Sequence, residues 1–167
     1  MFAMTTADEI SAWVDKYALT ELLARLSAAV DRADKAAIVA CYAPDSYDDH
    51  GAFKGSGAEF ADMICAPRSR AAALTMHHLL GQSVFDVEGD EAWGETFFVM
   101  HALVDGQVTA GYGRYIDYFR RLAAEWKLVY RRVVPDVTIP GDDASQYWPS
   151  RLDHTDPRYD RRTAPPT

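Results

Sequence analysis

Hydrophobic residues in the first third of the chain follow a helical period. Apolar side chains recur every three or four residues from Leu19 to Ala33, which predicts an amphipathic helix. Asp34 is placed to cap a second short helix, Lys35 to Tyr42, which Pro44 should end. The remaining predicted elements of this half are a short strand from Ser46 to His50, a turn at 54–57 and a third helix to about Ala66.

The period changes to two from residue 75 onward, where apolar and polar side chains alternate as in half-buried strands. Asp105-Gly106 is a strong hairpin signal between two of these runs. The predicted strands are Thr75–Val87, Glu91–Val104, Val108–Arg121 and Trp126–Thr138. This order predicts an α+β fold, with N-terminal helices packed on one face of a curved, mostly antiparallel sheet. We expect one domain over residues 1–138 and a polar, proline-bearing tail over residues 139–167.

Composition narrows the class of protein. The chain has 167 residues, 49% of them hydrophobic and 25% charged, with a formal net charge of −8. That charge repels phosphate backbones, so we expect no binding to nucleic acid. There is no apolar run of the roughly 20 residues that a membrane helix needs, and the amino terminus lacks the pattern of a signal peptide. We expect a cytoplasmic protein without membrane contact, in which Cys41 and Cys65 are packed, reduced thiols.

Asp31 and His78 are the residues with the clearest chemistry. A carboxylate that orients an imidazole makes a general base near neutral pH. Helix phase alone places Asp31 on a small, polar face away from the leucines, which favours a solvent-exposed aspartate. His77 and His78 are neighbours on a strand and point to opposite faces, so only one of them can face a site. Strict alternation places Met76, His78, Leu80, Gln82 and Val84 on one face.

The run Asp48-Asp49-His50 contains side chains that metal sites use. Consecutive strand residues alternate between faces, however, and do not converge easily on one ion. We therefore expect no metal ion, and we expect Asp49-His50-Gly51 to shape a turn or the rim of a pocket.

Five short motifs occur in a characteristic order between roughly residues 15 and 138. They are Ala29-Val30-Asp31-Arg32, Asp49-His50-Gly51 with Phe53 and Gly55, His78 with Gly81-Gln82, Gly113-Arg114-Tyr115 and Trp126-Lys127-Leu128. Together they resemble the SnoaL-like branch of the NTF2-like superfamily, which includes scytalone dehydratase, bile acid dehydratase, hexachlorocyclohexane dehydrochlorinase and polyketide cyclases. The resemblance implies a cone-shaped α+β barrel whose curved sheet surrounds an apolar pocket.

The resemblance also implies roles for individual residues. In the dehydratase and dehydrochlorinase members, an aspartate near the end of the first helix pairs with a histidine on the sheet, and Asp31 and His78 match those positions. Arg131 matches an arginine on the last strand that would neutralise an oxygen or a leaving group. Other members have a tyrosine or lysine at the position of Leu26, so the leaving-group acid must lie elsewhere. The candidates, which the sequence does not rank, are Tyr42, Tyr112, Tyr115 and Tyr130, and together with Met76 and Leu26 they are expected to line the substrate site.

The implied function is that of a cofactor-independent lyase of the dehydratase type, or of an isomerase. It would remove a carbon-bound proton from a small, largely apolar molecule with an aromatic, steroid or polyketide-like skeleton. Two alternatives stay open: the non-catalytic β subunit of an aromatic-ring dioxygenase, and a domain that binds a small molecule without chemistry. Relatives of this fold are commonly dimers or trimers, so a homo-oligomer is expected.

Overall fold

A computed structural model of the protein describes residues 6–66, 75–104 and 107–137. Its helices are α1 (Ala7–Arg32), α2 (Lys35–Cys41) and α3 (Gly57–Cys65). Its strands are β1 (Tyr42–Asp49), β2 (Lys54–Gly55), β3 (Thr75–Glu88), β4 (Glu91–Val104), β5 (Gln107–Leu122) and β6 (Glu125–Val137). The strands form a six-stranded sheet in the order β2-β1-β6-β5-β4-β3. β1 and β6 run parallel, and the other neighbouring strands are antiparallel.

The predicted α+β class is confirmed, because helices pack on one face of a curved, mixed sheet. We call that face the inner face and the opposite one the outer face. The sheet is open, with β2 and β3 at its edges, and is therefore not a closed barrel. The predicted hairpin turn at 105–106 and the tail over residues 139–167 lie outside the described residues. None of the helices in the described ranges is long and apolar enough to span a bilayer.

Side-chain caps fix where the helices begin. Thr6 and Glu9 form a capping box at the start of α1, as Ser56 and Glu59 do at the start of α3. The Asp34 carboxylate accepts a hydrogen bond from a first-turn backbone N–H of α2 at 3.1 Å, which confirms the predicted cap. Each cap satisfies an N–H that the helix itself leaves without a partner, an effect of typically about 1 kcal/mol.

The main hydrophobic core lies between α1 and the inner face. The leucine stripe of α1 is buried, with Leu19, Leu22, Leu23 and Leu26 at most 2% exposed. These leucines share one cluster with sheet residues such as Phe119 and Leu128, neither of which is exposed. This packing holds α1 across the sheet, and α1 also contacts β3 at the sheet edge.

β3 does not alternate strictly, and the predicted face assignment is wrong beyond Leu80. Its pairing with β4 shifts between Leu80 and Ser83, so residues 81–82 form a bulge. After the bulge Phe85 is 5% exposed and belongs to the core, whereas Val84 is 49% exposed. One additional residue reverses the alternation of a strand. Phe85 therefore lies on the inner face with Leu80, and Val84 lies on the outer face. His78 lies before the bulge and keeps its predicted face.

β1 begins at Tyr42, earlier than the predicted start at Ser46. The strand includes Pro44, which lies where the pairing with β6 is irregular, between Tyr42 and Tyr47. Proline has no N–H to donate, and such an irregularity is a position at which a strand tolerates it. The predicted turn at 54–57 instead contains β2, which pairs with the end of β1.

Candidate active site

Asp31 and His78 meet at the inner face of the sheet. Asp31 lies in the last turn of α1, and His78 lies near the start of β3. The Asp31 carboxylate contacts Nδ1 of the His78 ring at 2.6 Å and accepts the His78 backbone N–H at 3.1 Å. Only 16% of the Asp31 side chain and 10% of the His78 side chain are exposed. The position of Asp31 on the helix favours exposure to solvent. Its side chain is nevertheless mostly buried, because β3 lies beside the end of α1.

The surroundings of His78 keep its ring neutral at neutral pH. Burial lowers the pKa of His78 from its ordinary value of 6.5, and the hydrogen bond and charge of Asp31 oppose that shift. The charges of His50 and Arg131 lower the pKa further. When Asp31 holds the ring proton on Nδ1, Nε2 carries the lone pair and can accept a proton. The pair thus has the arrangement of a general base.

Arg131 of β6 and Asp117 of β5 form an ion pair beside this base. Nε and Nη2 of Arg131 donate to the two oxygens of Asp117 at 2.9 and 2.7 Å. The Arg131 side chain is 4% exposed and that of Asp117 is 1% exposed. Burial raises the pKa of Asp117, and the charge and hydrogen bonds of Arg131 oppose that rise. The bidentate geometry is that of an ionised pair, so Arg131 brings a charge that is largely balanced.

Aromatic rings connect Arg131 with His78. The guanidinium carbon of Arg131 lies 3.8 Å from the centre of the Tyr115 ring, and Tyr115 stacks on Phe98 with 4.3 Å between ring centres. The ring of His78 is 6.4 Å from that of Phe98. Burial raises the pKa of Tyr115, so its hydroxyl keeps the proton and can donate it to an oxygen. The inner face therefore joins a base, an aromatic surface and hydrogen-bond donors.

The structure brings together some predicted site residues and separates others. Those on the inner side are Asp31, Met76, His78, Tyr42, Tyr115 and Arg131. Leu26 is 1% exposed and lies within the core cluster of α1. Tyr112 and Tyr130 lie on the outer face, where Tyr112 is 47% exposed and Tyr130 stacks on Tyr47. Of the four candidate tyrosines, Tyr42 and Tyr115 thus lie on the inner side.

Strand geometry explains this separation. Tyr130 precedes Arg131, and adjacent residues of a strand point to opposite faces. Tyr112 is separated from Tyr115 by an odd number of positions, which has the same result. Both separations follow from sequence spacing as soon as Arg131 and Tyr115 are assigned to the inner face.

The interpretation of Asp49-His50-Gly51 as a turn or rim overlooks a second pair. His50 Nδ1 is hydrogen-bonded to one oxygen of Asp48, and the other oxygen accepts the Tyr42 hydroxyl at 2.5 Å. Asp48 and His50 are separated by one residue, and this spacing, which brings strand residues to one face, is the signal that was available. Within residues 6–66, 75–104 and 107–137, no group of three or more His, Cys, Asp or Glu side chains is arranged to hold a metal ion.

Helices packed on an open, curved sheet are the architecture of the NTF2-like class, and the described chain has that architecture. The sequence of residues 11–132 matches the family model of the SnoaL-like domain. The chain therefore belongs to the SnoaL-like family.

Solved structures share the fold over most of the chain. An NTF2-like protein of Novosphingobium aromaticivorans with a cystatin-like fold is 25% identical, with 86% of this chain and 97% of that chain covered and a TM-score of 0.66. A proposed scytalone dehydratase of the same organism is 15% identical. The match covers 85% of this chain and 97% of that chain, with a TM-score of 0.71. A hexachlorocyclohexane dehydrochlorinase, LinA, is 13% identical. The match covers 87% of this chain and 99% of that chain, with a TM-score of 0.70.

The last two likenesses establish the fold and leave the reaction to the geometry of the site, because the sequences have diverged far. No curated protein matches the chain in sequence.

Proposed function

We propose that the protein is a cofactor-independent lyase of the dehydratase type, with Asp31 and His78 as its general base. The observation that carries the proposal is the 2.6 Å contact between Asp31 and Nδ1 of a buried imidazole whose pKa is lowered. Membership of the SnoaL-like family supports it, as does the fold shared with a dehydrochlorinase. A general base alone contributes on the order of 10²- to 10⁴-fold, so other groups must supply the rest.

In the proposed reaction, Nε2 of His78 removes a proton from a carbon next to a carbonyl group. Asp31 stabilises the imidazolium that forms. The Tyr115 hydroxyl and the Arg131 guanidinium stabilise the negative charge on the carbonyl oxygen, and one such donor is worth about 3 kcal/mol in the transition state. If the neighbouring carbon then loses its hydroxyl group, the reaction is a dehydration. If the proton instead returns to another carbon, the reaction is an isomerisation.

The apolar side chains around His78 indicate the kind of substrate. Phe98 and Tyr115 provide stacked rings, and Met76 packs against the core on the same face. Such a lining favours a small, largely apolar molecule with an aromatic, steroid or polyketide-like skeleton.

The test measures deuterium exchange and water loss over a panel of hydroxylated aromatic, steroid and polyketide-like ketones, followed by NMR and mass spectrometry. His78→Ala and Asp31→Asn should each abolish both reactions. His77→Ala is the matched control, because His77 is exposed on the opposite face of the same strand and should leave both rates unchanged. A His78→Ala variant with near-normal turnover would refute the dyad, and binding without exchange would favour a binding domain or a partner subunit.

We also propose that the outer face mediates assembly of a homo-oligomer. Large apolar side chains are exposed there, with Leu79 59%, Tyr112 47% and Val137 55% exposed. Exposed apolar patches on soluble proteins commonly mark interaction surfaces. Sedimentation should therefore give a dimer or trimer, and Leu79→Glu should shift it towards the monomer. A monomeric wild type would contradict this assignment.

A further inference from the structure

The inner face contains a second aspartate–histidine pair, formed by Asp48 and His50. Asp48 is fully buried, and its two oxygens contact His50 Nδ1 and the Tyr42 hydroxyl. The His50 ring stacks on Phe60 with 4.6 Å between ring centres and an angle of 18°. The ring is thus held in one orientation by a carboxylate at its edge and an aromatic ring on its face.

This second pair and the Asp31–His78 base lie along the same face. Asp48 is opposite Arg131 in the pairing of β1 with β6. Arg131 covers Tyr115, and the stacked rings of Tyr115 and Phe98 lead on to His78. His50 and His78 therefore lie on the same face of the sheet, close enough for the charge of His50 to act on His78.

Electrostatic effects agree with this arrangement. The charge of His50 lowers the pKa of His78, so the two rings are within electrostatic range of each other. The charges of both Asp31 and Asp48 raise the pKa of Tyr115, which places the tyrosine under the influence of both pairs.

The fold engages one of the two ring nitrogens of His50. Nδ1 of His50 is engaged by Asp48, whereas Nε2 makes no hydrogen bond within the described ranges, and 26% of the side chain is exposed. When the ring is protonated, Nδ1–H remains with Asp48 and Nε2–H is available to a bound molecule. The buried Asp48 carboxylate provides the counter-charge of that cation.

We propose that His50 is the general acid of the elimination, and that the substrate carries a hydroxyl group on the carbon β to its carbonyl. This role rests on the dehydratase function proposed above. His78 Nε2 takes the proton from the α carbon, the C–H electron pair forms the C=C bond, and the C–O bond breaks. The departing oxygen takes the proton from His50 Nε2 and leaves as water. His78 ends protonated and His50 ends neutral, and proton exchange with solvent restores both rings.

The experiment compares two leaving groups on one skeleton. β-Hydroxypropiophenone loses hydroxide, which needs a proton, whereas β-chloropropiophenone loses chloride, which does not. His50→Gln should slow elimination from the hydroxy compound on the order of 10²-fold or more. Elimination from the chloro compound and deuterium exchange at the α carbon should fall by less than about 10-fold, because the Asp31–His78 base is intact.

Two additional measurements separate catalysis from folding. In His50→Ala, added imidazole should restore water loss, and circular dichroism should show an unchanged fold. His101→Gln, on the outer face, is the matched control and should behave as the wild type. The proposal is overturned if His50→Gln slows both leaving groups equally, or neither of them. A wild type that shows neither exchange nor elimination with these ketones overturns the dehydratase function itself.

Discussion

Replacement of Asp117 by asparagine should reduce the free energy of unfolding by about 3–5 kcal/mol, the range observed when one member of a buried ion pair is removed. Asparagine has nearly the same size as aspartate, so the packing is kept. The Arg131 guanidinium, 4% exposed, would however lose its counter-charge. The destabilisation is therefore that of a buried cation that has lost the carboxylate to which it donates two hydrogen bonds.

The magnitude follows from the geometry of the pair. With charge centres about 4 Å apart and an effective dielectric constant of about 20, the lost attraction is about 4 kcal/mol. Asparagine can still accept one of the two hydrogen bonds that Arg131 donates, and it avoids the cost of burying a carboxylate, which raises the pKa of Asp117. Both effects move the expected value towards the lower end, about 3 kcal/mol.

The assay is equilibrium unfolding in urea, followed by tryptophan fluorescence and circular dichroism. Asp45→Asn provides the matched control, because Asp45 accepts two hydrogen bonds from Arg120, at 2.7 and 2.9 Å, but is 61% exposed. An exposed pair of this kind should contribute less than about 1 kcal/mol. Equal losses in the two variants would refute the reasoning, because they would show that burial does not decide the cost.

Three other predictions concern single positions. NMR titration of the His78 ring should give a pKa below 6.5, and Asp31→Asn should lower it again, because Asp31 opposes the effect of burial; a value above 6.5 would contradict the assignment. Ala124→Gly should stabilise the protein by about 0.5–1 kcal/mol in thermal unfolding. The reason is that Ala124 has a φ of 69°, and the left-handed backbone conformation is strained for alanine. A lower Tm would contradict this prediction. Gly57→Ala should cost about 1–3 kcal/mol in urea unfolding, because a Cβ atom there would lie 2.2 Å from the Tyr42 ring; an unchanged midpoint would show that the ring moves freely.

Local periodicity was sufficient to predict the three helices and the four long strands, but not β2 or the start of β1. The change from a helical period to alternation near residue 75 separates the helices from the long strands, and the observed β4 has the predicted bounds. The bulge at 81–82 was not predictable in this way, because it depends on pairing with the neighbouring strand and not on the residues themselves. The resulting error placed Val84 on the inner face and Phe85 on the outer face.

The candidate site was predicted only in part, because its residues come from elements far apart in sequence. A resemblance to known motifs indicated Asp31, His78 and Arg131 as candidates, and the structure places all three on the inner side, while their roles stay predictions. Asp117 had no comparable signal, since its partner Arg131 is set by strand register, and Asp48 had only its one-residue spacing from His50. The parallel pairing of β1 with β6 brings Asp48 beside Arg131, and no local pattern indicates which strand will pair with β1.

This parallel pairing has a consequence for the synthesis of the protein on the ribosome. β1 is made early, but its sheet partner β6 is the last of the described strands to be made. Until β6 is available, Asp117 lacks its partner Arg131, and β1 and β5 lack the strand that lies between them. Contacts between residues so distant in sequence slow folding, because the intervening chain must be ordered first. A nascent chain that lacks β6 should therefore remain open and dependent on chaperones, and the strand that completes the sheet also completes the site.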